Sequence, residues 1–343
     1  MRQLFEIIGS PFSTSPRQAR CDAELLAAYT VAYPNRVALL YLWLHRRPGW
    51  DPLLEKYYQD LWKRYENSLG VIADIARVLN EWNREHYVIF KSIKPYPASP
   101  NDTDLICLAG KAGFERMYQH VLSKGYEFRG WAPQQNTVSA PDGRGKIDLY
   151  SEISTDYFSY MDKKKLLPYI VEREINGVPV RLLRTEPETA IVMFHSIFPE
   201  RTFQLEHFYL PLYALAARDF DLDLFLRYGR ESGASFAIKT QMSIVARLHE
   251  KHFGFVPAPV ASVLNALGRN KAEVRCFEGY NLQAPYLFSP KTFWTAFGLK
   301  LFEWHSLKSL FVQGFKMLNP HFFWDVVCSL RKRLSEKGAY HQD

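Results

Sequence analysis

Apolar and polar positions alternate most clearly between residues 86 and 152. An apolar run at 87–90 is followed by a proline-broken loop at 91–100 and by a second mostly apolar run at 102–108. Two further runs with period-two alternation flank an Asp-Gly turn between residues 137 and 150. That combination is typical of a β-hairpin. The pattern therefore predicts a sheet that the chain enters near residue 86.

A helix and a second hairpin are predicted to belong with this sheet. Residues 111–124 carry apolar side chains three or four apart and end in Lys124-Gly125, which predicts a helix with a glycine stop. Residues 169–183 form two apolar runs around Asn176-Gly177, the strongest two-residue hairpin signal. A mixed sheet with one helical face is the simplest assembly of these elements.

Helical periodicity fills both ends of the chain. The span 53–82 keeps its apolar residues on one helical face over several turns. Thr185 and Glu188 flank Pro187 in a pattern typical of a capping box, so we expect a helix to start at Thr185. The sequence thus predicts an α+β protein with an N-terminal helical region at 1–85, a catalytic sheet domain at 86–184 and a helical domain at 185–343.

Composition narrows the class of protein. Hydrophobic residues make up 47% and charged residues 23% of the 343 positions, as in ordinary soluble globular proteins. A formal charge of +7 favours anionic partners. The four cysteines show no paired spacing, so we expect reduced thiols and a cytoplasmic location rather than a zinc site or a disulfide framework. No signal peptide and no transmembrane segment are expected, since no apolar run reaches the ~18 residues that a spanning helix needs.

Three carboxylates on the predicted strands are candidates for chemistry. Asp102 and Asp104 are two residues apart, so on a strand they point to the same face. Two like charges this close need a cation, and carboxylate oxygens suit a hard one. Asp148 lies between Ile147 and Leu149 on the predicted hairpin. Taken alone, Asp148 is more often the solvent-facing residue of an alternating strand.

These residues resemble the nucleotidyltransferase superfamily that includes polymerase β, and in particular its uncharacterised, polysaccharide-cluster-associated branch. That family has a Gly-Gly or Gly-Ser turn, an acid-apolar-acid-apolar run about ten residues later, and a third acid on a separate strand. Ser92 matches the second turn position, Asp102 and Asp104 the acidic pair, and Asp148 the third acid. Lys91 stands in place of the first glycine. Glycine allows backbone amides to approach a phosphate closely, so this departure affects nucleotide binding more than metal binding.

The resemblance implies a magnesium-dependent nucleotidyltransferase. Asp102, Asp104 and Asp148 would hold Mg²⁺ or Mn²⁺, and a nucleoside monophosphate would pass from a nucleoside triphosphate to a hydroxyl acceptor. Ser92 would bind a phosphate oxygen. Lys91 and Lys94 are either helpers in nucleotide binding or solvated loop lysines. A sugar, an RNA and a protein hydroxyl are all compatible acceptors.

An alternative keeps the fold without the activity. A non-catalytic nucleotidyltransferase-fold protein would bind RNA, a nucleotide or a partner protein. The lysine at position 91 and the prolines of the following loop favour this alternative. The three acids oppose it, because a site without a cation gives no physical reason to keep mutually repelling carboxylates together.

Three further features leave alternatives open. The lysine run 163–165 is either a solvated turn or a contact for nucleic acid or triphosphate. His195 and His207 lie among aromatic residues and fit packing better than catalysis. The tail at 293–333 mixes aromatic, leucine and basic residues, with Pro320 dividing it into two helices. Such helices pack on their own domain, dock a partner or make peripheral contact with a membrane, and packing is the commonest of the three.

Overall fold

The computed structural model of the chain describes residues 2–13, 21–100, 102–155, 158–316 and 324. It is a mixed α+β structure built on a seven-stranded sheet with two small two-stranded sheets beside it. The strands are β1 Tyr87–Phe90, β2 Asp102–Cys107, β3 Glu127–Ala132, β4 Gln135–Ser139, β5 Lys146–Tyr150, β6 Ile153–Thr155, β7 Phe158–Met161, β8 Ile170–Ile175, β9 Val178–Leu183, β10 Thr202–Phe203 and β11 Tyr286–Leu287.

Helices occupy the chain before β1 and after β9, and one lies between β2 and β3. They are α1 Arg2–Ile8, α2 Asp22–Ala32, α3 Ala38–His45, α4 Pro52–Asn83, α5 Lys111–Ser123, α6 Thr185–Ile197, α7 Leu205–Ala216, α8 Leu222–Glu231, α9 Ser235–Phe253, α10 Ala258–Leu267, α11 Lys271–Phe277, α12 Pro290–Lys300 and α13 Trp304–Lys316. Short 3₁₀ segments add Arg84–His86 and Lys163–Tyr169. No helix within the described ranges is long and apolar enough to cross a bilayer.

The large sheet has the strand order β3-β4-β5-β2-β1-β9-β8. β2 runs antiparallel to β1 and parallel to β5, and β1 runs parallel to β9. Both predicted hairpins are confirmed, as β4-β5 and β8-β9. Asn176 and Gly177 in the second hairpin have φ angles of 48° and 74°, the left-handed values that a type I′ turn requires at both central positions. The predicted helix at 111–124 is α5.

Two apolar cores lie on opposite faces of this sheet. On one face, Leu105, Ile147 and Leu149 pack with side chains of α4 and α5 such as Ile72 and Met117. On the other face, Val88, Phe90 and Ile106 join a larger core that includes Ile191 and Phe194 of α6. The expectation of a single helical face was therefore incomplete. Its physical reason is visible in β1, where every residue is buried, as in a strand covered on both faces.

The first helices and the last helices share one core. Phe5 of α1 packs edge-on against Phe208 of α7 and stacks on His252 of α9. The hydroxyl of Ser10 lies 2.7 Å from Nε2 of His249. Helix α4, 32 residues long, has its first half in this helical core and its second half on the sheet. The N-terminal and C-terminal helices thus form one helical body over the second sheet face.

Candidate functional site

The register of the sheet puts the three aspartates on one face. Asp104 of β2 lies opposite Asp148 of β5, and Asp102 lies two residues before Asp104. Paired residues and residues two apart on a strand point to the same side. Asp104 also lies opposite Phe90, which belongs to the core shared with the helical body. The three carboxylates therefore face the helical body rather than α4 and α5.

The three aspartates differ in how far they are exposed to solvent. Asp102 is exposed, Asp148 is half-buried, and Asp104 is buried. The pKa of Asp102 is raised to about 7, first by desolvation and then by the charges of Asp104 and Asp148. The Asp102 side chain thus meets solvent while the surrounding protein desolvates its carboxylate. Burial also raises the pKa of Asp148, although the hydroxyl of Thr137, 2.6 Å from its Oδ1, opposes that rise.

The oxygen atoms of the three aspartates suit a hard divalent cation, but among the described residues they do not form a ready-made metal site. Carboxylate oxygens are the ligands that Mg²⁺ and Mn²⁺ prefer, and a nearby positive charge would oppose the rise in the pKa of Asp102 and Asp148. Across the parts of the chain that the structure describes, no three His, Cys, Asp or Glu side chains form a metal-holding group. The cation that pairs with Asp104 is Lys91, whose Nζ lies 3.1 Å from Oδ2.

Lys91 has the backbone conformation of a glycine. Its φ angle is 57°, in the left-handed region that glycine adopts without strain and other residues rarely adopt. Lys91 is also the residue that stands in place of the first glycine in the resemblance to nucleotidyltransferases. Its Nζ lies 4.9 Å from the ring centroid of Phe90 and 5.1 Å from that of Tyr150, in addition to the ion pair with Asp104. The strained backbone and the aromatic walls together direct an ammonium group at the acids.

Ser92 and Lys94 are engaged within the protein. The buried Ser92 hydroxyl donates to the carbonyl of Phe90, at 3.0 Å, and accepts from the backbone N–H of Asp104, at 2.9 Å. The ammonium of Lys94 lies 2.7 Å from Oε1 of Glu206. Ser92 therefore ties the loop to the start of β2, and Lys94 ties it to α7. Both residues position the loop in this structure.

Glu188 is a site residue that the sequence did not identify. The capping-box interpretation was wrong, because the cap of α6 is Arg184 and it makes no side-chain capping bond. Glu188 instead lies beside the loop, where the backbone and the charge of Lys91 act to lower its pKa, and its buried Oε2 has no hydrogen-bond partner among the described residues. Burial raises its pKa to about 8, against the opposing charge of Lys94. Since the glutamate fits a capping pattern equally well, only its position in three dimensions reveals its contact with the loop.

Charged residues of the helical body border the site. Arg36, between α2 and α3, lies 3.6 Å from Glu206 and 3.8 Å from Glu200, and its charge lowers the pKa of Asp102. Burial alone would raise the pKa of Glu206, but Lys94 and Arg36 outweigh it and bring that pKa to about 2. No motif marks Arg36 in the sequence, and its role follows from the packing of the N-terminal helices over the sheet.

His195 and His207 both lie beside Glu200, one of the charged partners of Arg36. His207 is buried, and His195 is half-buried with Nδ1 at 3.1 Å from the hydroxyl of Tyr160. Desolvation lowers the pKa of both side chains, so both are neutral near pH 7. This agrees with the interpretation of both as packed residues.

Two lysines of the run at 163–165 are bonded to backbone carbonyls within the protein. The buried ammonium of Lys163 donates to the carbonyls of Cys107, Ala109 and Ser151, at 2.9, 2.7 and 2.5 Å. Lys165 donates to the carbonyl of Glu231. A contact of Lys163 with triphosphate or nucleic acid is therefore wrong, because its three protons are used at the ends of β2 and β5. The charge run alone could not show this.

No protein-family model, curated protein or solved structure matches this chain. Membership of the nucleotidyltransferase superfamily accordingly stays a prediction from residues 91–148. What the structure adds is a set of three aspartates on one sheet face, a left-handed lysine beside them and three ionisable side chains of the helical body, Glu188, Glu206 and Arg36.

Proposed function

We propose that this protein is a nucleotidyltransferase that moves a nucleoside monophosphate from a nucleoside triphosphate to a hydroxyl acceptor. The observation that carries the proposal is the register of Asp104 opposite Asp148, with Asp102 two residues earlier on the same face. An alternating strand at the surface would leave such acids in bulk solvent. Here the surrounding protein desolvates them enough to raise the pKa of Asp102 to about 7. A bound cation would therefore stabilise the ionised carboxylates of this site.

In the proposed reaction, Asp102 and Asp104 would hold Mg²⁺ or Mn²⁺ at the triphosphate, and Asp148 would complete a second metal position. Bound there, the cations would neutralise phosphate charge and lower the pKa of the acceptor hydroxyl. The hydroxyl would lose its proton to solvent, its oxygen would form the new bond to the α-phosphorus in line, and the bond from that phosphorus to pyrophosphate would break. The protein has to position charged groups rather than supply a covalent nucleophile, which is why three carboxylates suffice.

Lys91 would exchange partners in this scheme. Its ammonium neutralises Asp104 in the structure, at 3.1 Å. When a divalent cation takes that carboxylate, the lysine is free to bind a phosphate oxygen of the nucleotide. The side chain would thereby replace the backbone amides that a glycine turn would offer. Ser92 and Lys94 would support the loop through their bonds to Asp104 and Glu206.

A second candidate function is supported by the same ion pair. A protein that binds RNA, a nucleotide or a partner without catalysis could use Lys91 as a permanent counter-charge for Asp104. The internal bonds of Ser92 and Lys94 also favour this candidate, since both side chains are already used within the protein. The clustered acids would then be held by lysine instead of metal.

A transfer assay separates the two candidates. Wild-type protein would be incubated with each of the four nucleoside triphosphates labelled at the α-phosphate, with Mg²⁺ or Mn²⁺, and with RNA, sugar and protein acceptors in turn. We expect label transfer with matching pyrophosphate release, lost in Asp104→Asn and kept in Asp223→Asn, which changes an exposed acid on α8. Nucleotide binding without transfer in any combination would support the non-catalytic candidate instead.

A further inference from the structure

An apolar stripe runs along the outside of α13. Trp304, Phe311, Val312 and Phe315 are exposed at positions i, i+7, i+8 and i+11, which is one face of a helix. Trp304 is 73% and Phe315 is 74% exposed. Trp294 and Leu299 of α12 and Phe302 of the turn that follows are also exposed. Contiguous exposed aromatic surface of this kind marks an interaction site.

The opposite face of α13 fixes its orientation. Ser306 is buried, and Leu310 packs against the helical core. The hydroxyl of Ser309 accepts a hydrogen bond of 3.2 Å from the backbone N–H of Ser159, next to the first residue of β7. The helix is therefore anchored on the protein through its polar and leucine side. Its aromatic side is held outward and cannot turn into the core without breaking these contacts.

The charges around the stripe are suited to an anionic surface. Residues 290–316 contain four lysines and one carboxylate, Glu303. That carboxylate is neutralised by the buried ammonium of Lys300, at 2.7 Å. Lys308 is exposed within the stripe itself, between Trp304 and Phe311. The sequence after the stripe adds Arg331, Lys332 and Arg333.

We propose that α12 and α13 bind the surface of a bilayer that contains anionic phospholipid. Trp and Phe rings partition to the headgroup level, and a lysine among them extends its ammonium to the lipid phosphates. A helix anchored on one side and aromatic on the other would lie flat in that interface. This binding surface is separate from the acidic site and does not depend on the proposed reaction.

Vesicle co-sedimentation of the full chain tests the proposal. The vesicles would be phosphatidylcholine alone or phosphatidylcholine with about 30% phosphatidylserine, at low and high salt. We expect wild-type protein to bind the anionic vesicles, to bind neutral ones less, and to dissociate as salt rises. A variant with Trp304→Ser, Phe311→Ser and Phe315→Ser should bind roughly tenfold more weakly, because the inserted apolar area is gone.

Two controls keep the test specific. Phe128→Ser combined with Trp131→Ser removes exposed aromatics from β3 and should leave vesicle binding unchanged. Lys308→Glu changes one exposed side chain and should weaken binding to the anionic vesicles more than to the neutral ones. Circular dichroism would show that each variant is folded.

Three results would overturn the proposal. One is the absence of wild-type binding to either vesicle, which would mean that another segment or partner covers the stripe. Another is equal binding by the stripe variant. The third is self-association of the wild type without lipid that the stripe variant abolishes, since the surface would then be a contact between copies of this chain.

Discussion

Strands β2 and β5 place different kinds of side chain on the two faces of the central sheet. Toward α4 and α5, strands β2 and β5 contribute Leu105, Ile147 and Leu149, all fully buried. Toward the helical body, the same strands contribute Asp102, Asp104 and Asp148. Both faces are covered by protein, so the alternation is not the usual one between core and solvent. On these two strands one face packs into an apolar core, whereas the other carries the acids beside apolar residues such as Ile106.

This difference shows what distinguishes a candidate site from an ordinary polar strand face. Exposed acids on a strand are hydrated independently and keep near-normal pKa values. Here the helical body adds Glu188, Glu206 and Arg36, the loop adds Lys94, and the charges influence one another. Enclosure by the helices turns a row of polar residues into a coupled electrostatic site.

The largest expected effect is on the apolar face. Leu149→Ala should lower the free energy of unfolding by about 2–5 kcal/mol, because it removes a fully buried side chain and leaves a cavity. Asp148→Asn, its neighbour on the other face, should change that free energy by about 1 kcal/mol or less, since lost charge repulsion offsets a weaker bond to Thr137. Urea unfolding measures both. Similar losses for the two variants would contradict the distinction between the faces.

The loop that borders the acidic face gives the next largest effect. Ser92→Ala removes the acceptor of the buried Asp104 N–H and should lower the free energy of unfolding by about 1–3 kcal/mol. Ser262→Ala is the matched control, because its exposed hydroxyl donates to the carbonyl of Ala258 in the same helix. The same urea experiment applies. If both serine variants are equally stable, Ser92 does not hold the loop.

A smaller effect is expected from the backbone at Lys91. Lys91→Gly and Lys91→Ala both remove the ammonium from Asp104, but only glycine adopts φ near 57° without strain. The glycine variant should therefore be more stable than the alanine variant by about 1 kcal/mol. Thermal unfolding of the pair measures this difference. An alanine variant as stable as the glycine variant would contradict the left-handed conformation.

The smallest effect concerns the pH dependence contributed by Asp102, whose open side chain is partly screened by solvent. Its pKa is raised from 3.8 to about 7, so the protonated form is favoured in the folded state. Its contribution to stability is present below the unfolded pKa and is lost as the pH rises through the folded pKa. Relative to Asp102→Asn, the wild type should lose melting temperature between about pH 4 and pH 7 in metal-free buffer. Parallel pH profiles would show that the acids are not coupled.

Much of the sheet could be predicted from local sequence. Asn176-Gly177 fixes a turn type, the Asp-Gly loop fixes another hairpin, and the spacing of Phe114, Met117 and Val121 fixes a helix. Each of these signals involves neighbours along the chain. The placement of three aspartates on strands was predictable for the same reason, because alternation determines which face a residue takes.

The opposite wall of the site could not be predicted in this way. Glu188 and Glu206 come from separate helices and Arg36 from the turn between α2 and α3. They approach the aspartates only through the packing of the helical body on the sheet. Glu188 even matched a local capping pattern that the structure does not use. Lys163 and its neighbours formed a charge run without any sign that Lys163 would be buried against backbone carbonyls. The predicted division of the tail at Pro320 lies outside the described residues.

The most direct test of the acidic site is a titration with Mn²⁺, in which electron paramagnetic resonance measures the free ion. We predict that wild-type protein binds Mn²⁺, that Asp104→Asn and Asp148→Asn lose this binding, and that Asp223→Asn keeps it. Lys91→Gly should bind Mn²⁺ more tightly than the wild type, because the ammonium no longer competes for Asp104. Wild-type protein that binds no Mn²⁺, or binding that survives the loss of Asp104 and Asp148, would contradict the assignment of these aspartates as a metal-dependent site.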